Sequence, residues 1–153
     1  MATIEEYGSG RILRSIRLAH LALRCTVLPL AGPVIRKKLE LRMKPVAIRP
    51  ISPDEAARII RECRCCAAGS RICQPLFPDA VSTEAVFLDD LAERLVQVHE
   101  ARPVTADHAL EVLGKYPDNP LLLSKVSGQY LEICRSVPDV CIYWKMRRNG
   151  MDV

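Results

Sequence analysis

The chain has 153 residues and a formal net charge of +4, so it is long enough to bury the core of one domain. Only two Phe, one Trp and four Tyr accompany the aliphatic residues, and the core must therefore be mainly aliphatic. Polar residues at the start argue against a secretory signal. The apolar run 18–35 is unlike a membrane-spanning helix because it is interrupted by His20, Arg24, Pro29 and Pro33. We therefore predict a cytoplasmic protein.

The basic residues are concentrated in the first third of the chain. Residues 1–50 contain ten Lys or Arg and three Glu, whereas residues 51–153 contain twelve basic and fifteen acidic residues. Apolar residues recur at helical spacing in the first segment, which predicts a basic amphipathic helix and, after a break at 29–33, a shorter helix over 34–43. The residues at this spacing are Ile12, Ile16, Ala19, Leu23 and Val27. We therefore divide the chain into a basic helical arm (1–50) and a cysteine-rich helical domain (51–153).

Three roles are possible for the basic arm over residues 11–49. It can pack on the body of the chain with a solvated basic face, dock on an acidic redox partner protein, or attach to a membrane surface. Among external partners we favour the redox protein over the membrane. We expect no nucleic-acid binding, because the arm has no zinc-finger spacing and no aromatic residues interleaved with its basic residues.

Capping patterns predict four helices in residues 51–153. Ser52-Pro53-Asp54-Glu55 is a capping box that begins a helix over 53–62, directly before Cys63. The other three helices are expected to begin at the Ser82/Thr83 pair, to follow Thr105 up to Gly114, and to run from Pro120 to Ile133, directly before Cys134. The apolar stripe of the helix after Ser82 is Phe87, Leu88, Leu91, Ala92, Leu95 and Val98. No stretch alternates convincingly between apolar and polar residues. We therefore predict a mainly α fold, in which two cysteine-bearing loops follow the C-terminal ends of helices.

The cysteines carry the strongest chemical signal in the sequence. Four of the seven lie within eleven residues, and a second pair repeats the six-residue separation of Cys66 and Cys73. In a reducing compartment such dense cysteine usage indicates metal binding or redox chemistry rather than structural disulfides. We predict that four of six candidates ligate a [4Fe–4S] cluster, the candidates being Cys63, Cys65, Cys66, Cys73, Cys134 and Cys141. Cys25 is interpreted as a core residue, and the neighbouring Arg64, Arg71 and Arg135 would offset the negative charge of the cluster.

Part of this cysteine pattern resembles a known family. Cys63-x-Cys65, followed later by Cys134-x6-Cys141 and Ile142, is similar to the short four-cysteine ferredoxin-like iron–sulfur proteins of anaerobic bacteria and archaea. Those proteins show C-x-C-R early and C-x6–8-C with an aliphatic residue late, whereas here Cys66 replaces the arginine and Cys73 is additional. The resemblance covers about twenty residues, and it implies cluster binding and electron transfer.

Structural zinc and redox-active thiols are the alternatives to an iron–sulfur cluster. We take the chain to contain no C-x-x-C knuckle, the spacing that is common in zinc sites, and its histidines lie far from the cysteines in sequence. A vicinal Cys65–Cys66 disulfide would be unusual.

The chain lacks hydrolase, P-loop and dinucleotide-binding motifs, so we expect that the protein does not act on a substrate of its own. We predict an electron-transfer protein that works with a larger redox complex, with a non-catalytic assembly protein holding structural zinc as the alternative.

Overall fold

The prediction of a mainly α fold is wrong, because a large part of the chain forms a sheet. The computed structural model describes residues 3–7 and 9–153, which fold into seven α-helices and one six-stranded antiparallel sheet, an α/β fold. The helices are α1 (Ile4–Tyr7), α2 (Arg11–Arg24), α3 (Gly32–Met43), α4 (Pro53–Glu62), α5 (Asp89–Gln97), α6 (Ala106–Gly114) and α7 (Ile142–Arg148). The strands are β1 (Arg49–Ile51), β2 (Cys66–Ser70), β3 (Glu84–Leu88), β4 (Ala101–Val104), β5 (Leu121–Val126) and β6 (Gln129–Arg135), in the sheet order β1-β5-β6-β3-β2-β4.

The helices predicted from capping residues near 53 and 105 are confirmed. The Ser52 hydroxyl accepts a hydrogen bond from the Glu55 amide at 3.1 Å at the start of α4. The Thr105 hydroxyl accepts one from the His108 amide at 3.2 Å at the start of α6. The two helices predicted for the basic segment correspond to α2 and α3. These elements follow from local chemistry, since a side-chain oxygen satisfies an amide that the first helical turn leaves free.

The predicted helix after Ser82 begins too early. Residues Glu84–Leu88 form β3, with the last four residues buried, and α5 begins only at Asp89. Asp89 has a positive φ of 48°, a conformation that turns the chain sharply where the strand meets the helix. A short apolar run fits the stripe of a helix as well as a buried strand. The sheet is preferred here because β3 pairs with neighbours on both sides, β2 and β6.

The helix predicted over 120–133 is also wrong, because these residues form the β5–β6 hairpin. Ser127 and Gly128 connect the strands, both at positive φ, 51° and 85°. Two such residues match the twist of the strands that they join. Cys134 therefore lies within β6, and not in a loop after a helix. Cys66 begins β2, and of the six candidate ligands only Cys63 directly follows a helix, α4.

Helices cover both faces of the sheet. Tyr7 of α1 bonds to Glu132 of β6, and α1 contacts α5, so α1 and α5 lie on the face to which Glu132 and Cys134 project. On the other face, the Arg135 guanidinium donates to the Leu113 carbonyl of α6, and α6 packs against α4. The main core lies on both sides of the central strands.

The basic segment packs on the C-terminal helix. A second apolar cluster joins Leu39 of α3 to Ile142 and Met146 of α7 and to Met151, with Ala19 of α2 packed against it. At the sheet edge, β1, which contains the last residues of the segment, pairs with β5. No helix in the described ranges 3–7 and 9–153 is long and apolar enough to cross a membrane.

Candidate functional site

The strand registers separate the six predicted cysteine ligands into two groups. Cys66 lies opposite Leu88, and Cys134 lies opposite Ala85, three residues earlier on β3. Directly opposed residues project to the same face of a sheet, and neighbours along one strand project to opposite faces. Leu88 and Ala85 are an odd number of residues apart. The side chains of Cys66 and Cys134 therefore leave the sheet on opposite faces, and one cluster cannot bind both.

The Cys134 group consists of Cys73, Cys134 and Cys141, which come from three places in the sequence. Each thiol is close enough to the other two to raise a pKa within the group electrostatically. Cys134 projects from β6, Cys73 precedes a 3-10 turn over Gln74–Leu76, and Cys141 directly precedes α7. Of the four cysteines between residues 63 and 73, Cys73 is therefore the one that acts electrostatically on Cys134.

Hydrogen bonds fix the chain between Cys134 and Cys141. The Trp144 indole N–H donates to the Ser136 hydroxyl at 2.8 Å, and this hydroxyl donates to the Pro120 carbonyl at 2.9 Å. Further along, the Arg148 guanidinium donates to the Pro138 carbonyl at 2.6 Å. The aromatic and basic residues that follow Cys141 therefore hold the loop that carries it.

Arg71 is the buried charge beside the Cys134 group. Its residue exposure is only 2%, and it lowers the pKa of Cys73, Cys134 and Cys141. Its hydrogen-bond partners are neutral and distant, the Arg135 carbonyl at 3.4 Å and the Gln74 side-chain oxygen at 3.3 Å. Its Nε has no partner among the described residues. A buried guanidinium normally has an anionic partner, because burial of a charge without one is costly.

Only one of the three arginines predicted to offset a cluster charge faces the Cys134 group. Arg64 forms ion pairs with Asp90 and Glu93, at 2.7 and 3.1 Å. Arg135 follows Cys134 directly on β6 and so projects to the opposite face, where it donates to the Leu113 carbonyl at 2.6 Å. Of the three arginines, only Arg71 is therefore placed to offset the negative charge of a cluster bound by the Cys134 group.

Glu132 and Tyr7 lie near the Cys134 group. The Tyr7 hydroxyl donates to the Glu132 carboxylate at 2.6 Å, and the Ser124 hydroxyl donates to the same oxygen at 3.1 Å. Burial raises the pKa of Glu132, although these two hydrogen bonds and Arg71 oppose the increase. Glu132 thus acts as an acceptor for two hydroxyls, and it does not bond to the Arg71 guanidinium.

Desolvation raises the pKa of all three thiols in the Cys134 group. The pKa of Cys73 rises to about 11, and that of Cys134 rises well above 9.0, with Glu132 and the other two thiols adding to the effect of burial. Burial also raises the pKa of Cys141, but the amides of Trp144 and Tyr143 donate to its sulfur and oppose this increase. Without a bound cation the thiols are therefore protonated at neutral pH, and binding a metal would release protons.

The Cys66 group consists of Cys63, Cys65 and Cys66, at the start of β2. The Cys63 thiol donates to the Ile60 carbonyl at 3.0 Å. Burial raises the pKa of Cys63 to about 12, and the nearby Cys66 thiol adds to this increase. Cys66 donates to the Val104 carbonyl at 3.4 Å, and Cys65 to the Asp89 carbonyl at 3.6 Å. The prediction against zinc assumed that the chain contains no C-x-x-C, which is wrong, because Cys63 and Cys66 have this spacing in C-R-C-C.

Neither group is a preformed site for a single ion. Among residues 3–7 and 9–153, no cluster of three or more His, Cys, Asp or Glu side chains is arranged to hold a metal ion. All seven cysteines are free thiols. A cuboidal iron–sulfur cluster is a few ångströms across and carries each thiolate on a different iron, so it tolerates a wider spacing of sulfur atoms than a tetrahedral zinc site does.

Comparisons with known proteins do not assign the site. No family model, curated protein or solved structure matches the chain. The functional argument therefore depends on the two cysteine groups and their surroundings.

Proposed function

We propose that the protein binds a [4Fe–4S] cluster through Cys73, Cys134 and Cys141 and transfers electrons to or from a partner protein. The observation that carries the proposal is Arg71, which is buried beside these thiols with an unpartnered Nε and with neutral hydrogen-bond partners only. The buried Glu132 acts on Arg71 electrostatically but does not bond to it. A cluster with thiolate ligands is anionic and would place further negative charge beside this guanidinium.

The residues of the Cys134 group fit such a cluster in donor type and charge. Three thiols converge from three segments, and the guanidinium can compensate the negative charge of the bound form. Three thiols are one fewer than the usual four ligands of a cubane. The three remaining candidates do not complete the set as one unit, because Cys66 projects to the other face of the sheet and Cys63 lies near Cys66.

Electron transfer is the reaction that the proposal assigns. A bound iron–sulfur cluster supplies one-electron redox chemistry, and its potential depends on net charge, hydrogen bonds to sulfur and exposure to solvent. The chain contributes to each factor through Arg71, through the Tyr143 and Trp144 amides at Cys141, and through desolvation of the three thiols. Free thiols suit the reducing cytoplasm, where we place the protein.

Structural zinc at the Cys66 group is the second candidate. One observation favours it, since the thiols of the C-x-x-C pair Cys63 and Cys66 lie close enough to affect each other's pKa. Asp89 raises the pKa of both thiols and so lies close to them. Two cysteines at this spacing supply half of a tetrahedral zinc site. This arrangement would stabilise the junction of α4 and β2 and would carry no electrons.

Metal analysis of matched cysteine variants separates the two candidates. The protein is purified without oxygen, and iron, acid-labile sulfide, zinc and the visible spectrum are measured. We expect about four irons and four sulfides per chain, loss of both in Cys134→Ser, and retention of both in Cys66→Ser. Both residues lie in strands of the same sheet, so the second variant controls for a general loss of folding.

Two outcomes would contradict the proposal. Stoichiometric zinc without colour, lost in Cys66→Ser and kept in Cys134→Ser, would establish the structural zinc site. Iron that is lost in Cys66→Ser and kept in Cys134→Ser would move the cluster to the other group and leave Arg71 without its assigned role.

A further inference from the structure

Exposed apolar side chains are concentrated on α2, α3 and the turn between them. Of the nine large apolar side chains that are exposed in the described part of the chain, seven lie between residues 18 and 41. They are Leu18, Leu21, Val27, Leu28, Leu30, Val34 and Leu41. The turn is the most exposed part, with Leu30 at 95% and Val27 at 81%. Exposure of this extent at neighbouring positions indicates an interaction surface.

The same surface carries most of the positive charge of the chain. Residues 11–49 contain ten Lys or Arg and one acidic residue, Glu40. On α2, exposed Arg14 and Arg17 lie one turn or less from exposed Leu18 and Leu21. On α3, exposed Lys37 and Lys38 lie between Val34 and Leu41. Leucine and basic residues therefore share the exposed faces of both helices.

The turn between α2 and α3 has a fixed backbone. The amide of Leu28 donates to the Cys25 carbonyl at 3.2 Å, and the amide of Gly32 donates to the Leu28 carbonyl at 2.8 Å. Gly32 packs so tightly that an added Cβ would lie 2.3 Å from the Thr26 carbonyl oxygen. The turn thus satisfies part of its own hydrogen bonding and presents its apolar side chains outward, as insertion into an apolar medium requires.

We propose that the turn and the exposed faces of α2 and α3 bind the surface of an anionic lipid bilayer. Val27 and Leu30 enter the boundary between headgroups and acyl chains, and the basic residues contact anionic headgroups. An anionic bilayer explains both observations at once, since binding of this kind combines burial of apolar residues with attraction of Lys and Arg to lipid charge. The acidic partner predicted from the charge alone leaves the exposure of Leu30 unexplained.

Sedimentation with lipid vesicles tests this assignment on the full chain. Vesicles of phosphatidylcholine alone are compared with vesicles that also contain phosphatidylglycerol, at low and at high salt. We expect binding only to the anionic vesicles, weakened by salt as the surface charges are screened. The double variant Val27→Asp, Leu30→Asp should bind at least about tenfold more weakly, because two apolar side chains no longer enter the bilayer.

Two matched controls distinguish insertion and charge from general effects. Val81 is 59% exposed outside this surface, so Val81→Asp should leave vesicle binding unchanged. Lys37→Glu with Lys38→Glu should weaken binding, whereas the same reversal at exposed Arg58 and Arg61 on α4 should not.

The proposal is overturned if anionic vesicles at low salt do not bind the protein. It is also overturned if the Val27, Leu30 variant binds as strongly as the wild type, since charge alone would then suffice. Sedimentation equilibrium adds a third test. A dimer that this variant dissociates would assign the surface to a second copy of the chain instead of a bilayer.

Discussion

His20 is a residue whose titration should be visible in the stability of the fold. Its Nε2 is buried without a partner among the described residues, and its ring packs on Phe77 at 5.1 Å between centroids. Burial, followed by Lys145 and Arg24, lowers its pKa from 6.5 to about 4. Because the folded pKa is the lower one, the unfolded chain takes up the proton first as the pH falls. Stability that is fully present above pH 6.5 is therefore lost between 6.5 and about 4.

We expect this loss of stability to be about 1–2 kcal/mol, because the ring is partly exposed and solvent weakens the effect of its charge. His20→Gln should remove that part of the pH dependence, measured by urea unfolding at several pH values from 7.5 to 4. His108→Gln is the control, since His108 is an exposed histidine paired with Glu111. An equal pH dependence in wild type and His20→Gln would contradict the assignment.

At the residue scale, the sequence predicted six cysteine ligands but not how the fold groups these residues. The types and the density of the cysteines were enough to predict a thiol site, and the C-x-x-C pair could have been read directly from C-R-C-C. The convergence of Cys73, Cys134 and Cys141 could not be read in this way. It depends on the register that places Cys134 opposite Ala85, and registers are set by packing between distant segments.

At the element scale, local signals succeeded for helices and failed for strands. The caps at Ser52 and Thr105 act within one turn, and the helices that they predict are present. The strands β3 and β5 are short, mostly buried apolar runs that do not alternate. Periodicity cannot separate such runs from a buried helix. The Ser127-Gly128 turn was the one local signal for the hairpin, because both residues adopt positive φ.

Substitution of Gly69 tests how closely the strands of the sheet pack. It lies in β2 between partners Ala85 and Ala101, and an added Cβ would lie 2.6 Å from the Glu100 carbonyl oxygen. Gly69→Ala should lower the free energy of unfolding by about 1–3 kcal/mol, because the backbone of the neighbouring strand must move. Thermal or urea unfolding measures the change.

The matched control for Gly69 is Gly114→Ala. Gly114 is the last residue of α6, and no atom lies within 4 Å of an added Cβ. This substitution should raise stability by about 0.4–1 kcal/mol, because alanine restricts the unfolded chain. If both variants had the same effect, close packing at Gly69 would not be the cause.

At the scale of the whole molecule, the predicted arm and body are connected by contacts at several places. Tyr7 is buried in the main core and bonds to Glu132, β1 extends the sheet, and Leu39 packs with Met146. The excess of basic residues that suggested an arm is found on the exposed surface of residues 1–50, whereas the buried residues of this segment pack against the rest of the fold. One cooperative unfolding transition is therefore expected for residues on both sides of position 50.

Met146→Ala tests this cooperativity. Met146 is fully buried between α7 and the cluster around Leu39, so its truncation should cost about 2–5 kcal/mol through lost contacts and a cavity. Hydrogen exchange should then speed up in α3 as well as in α7, because the two helices share this cluster. Leu41→Ala, on the exposed side of α3 at 58% exposure, should change stability by no more than about 0.5 kcal/mol. If Met146→Ala left exchange in α3 unchanged, the basic segment would unfold independently, and the division at position 50 would separate two folding units.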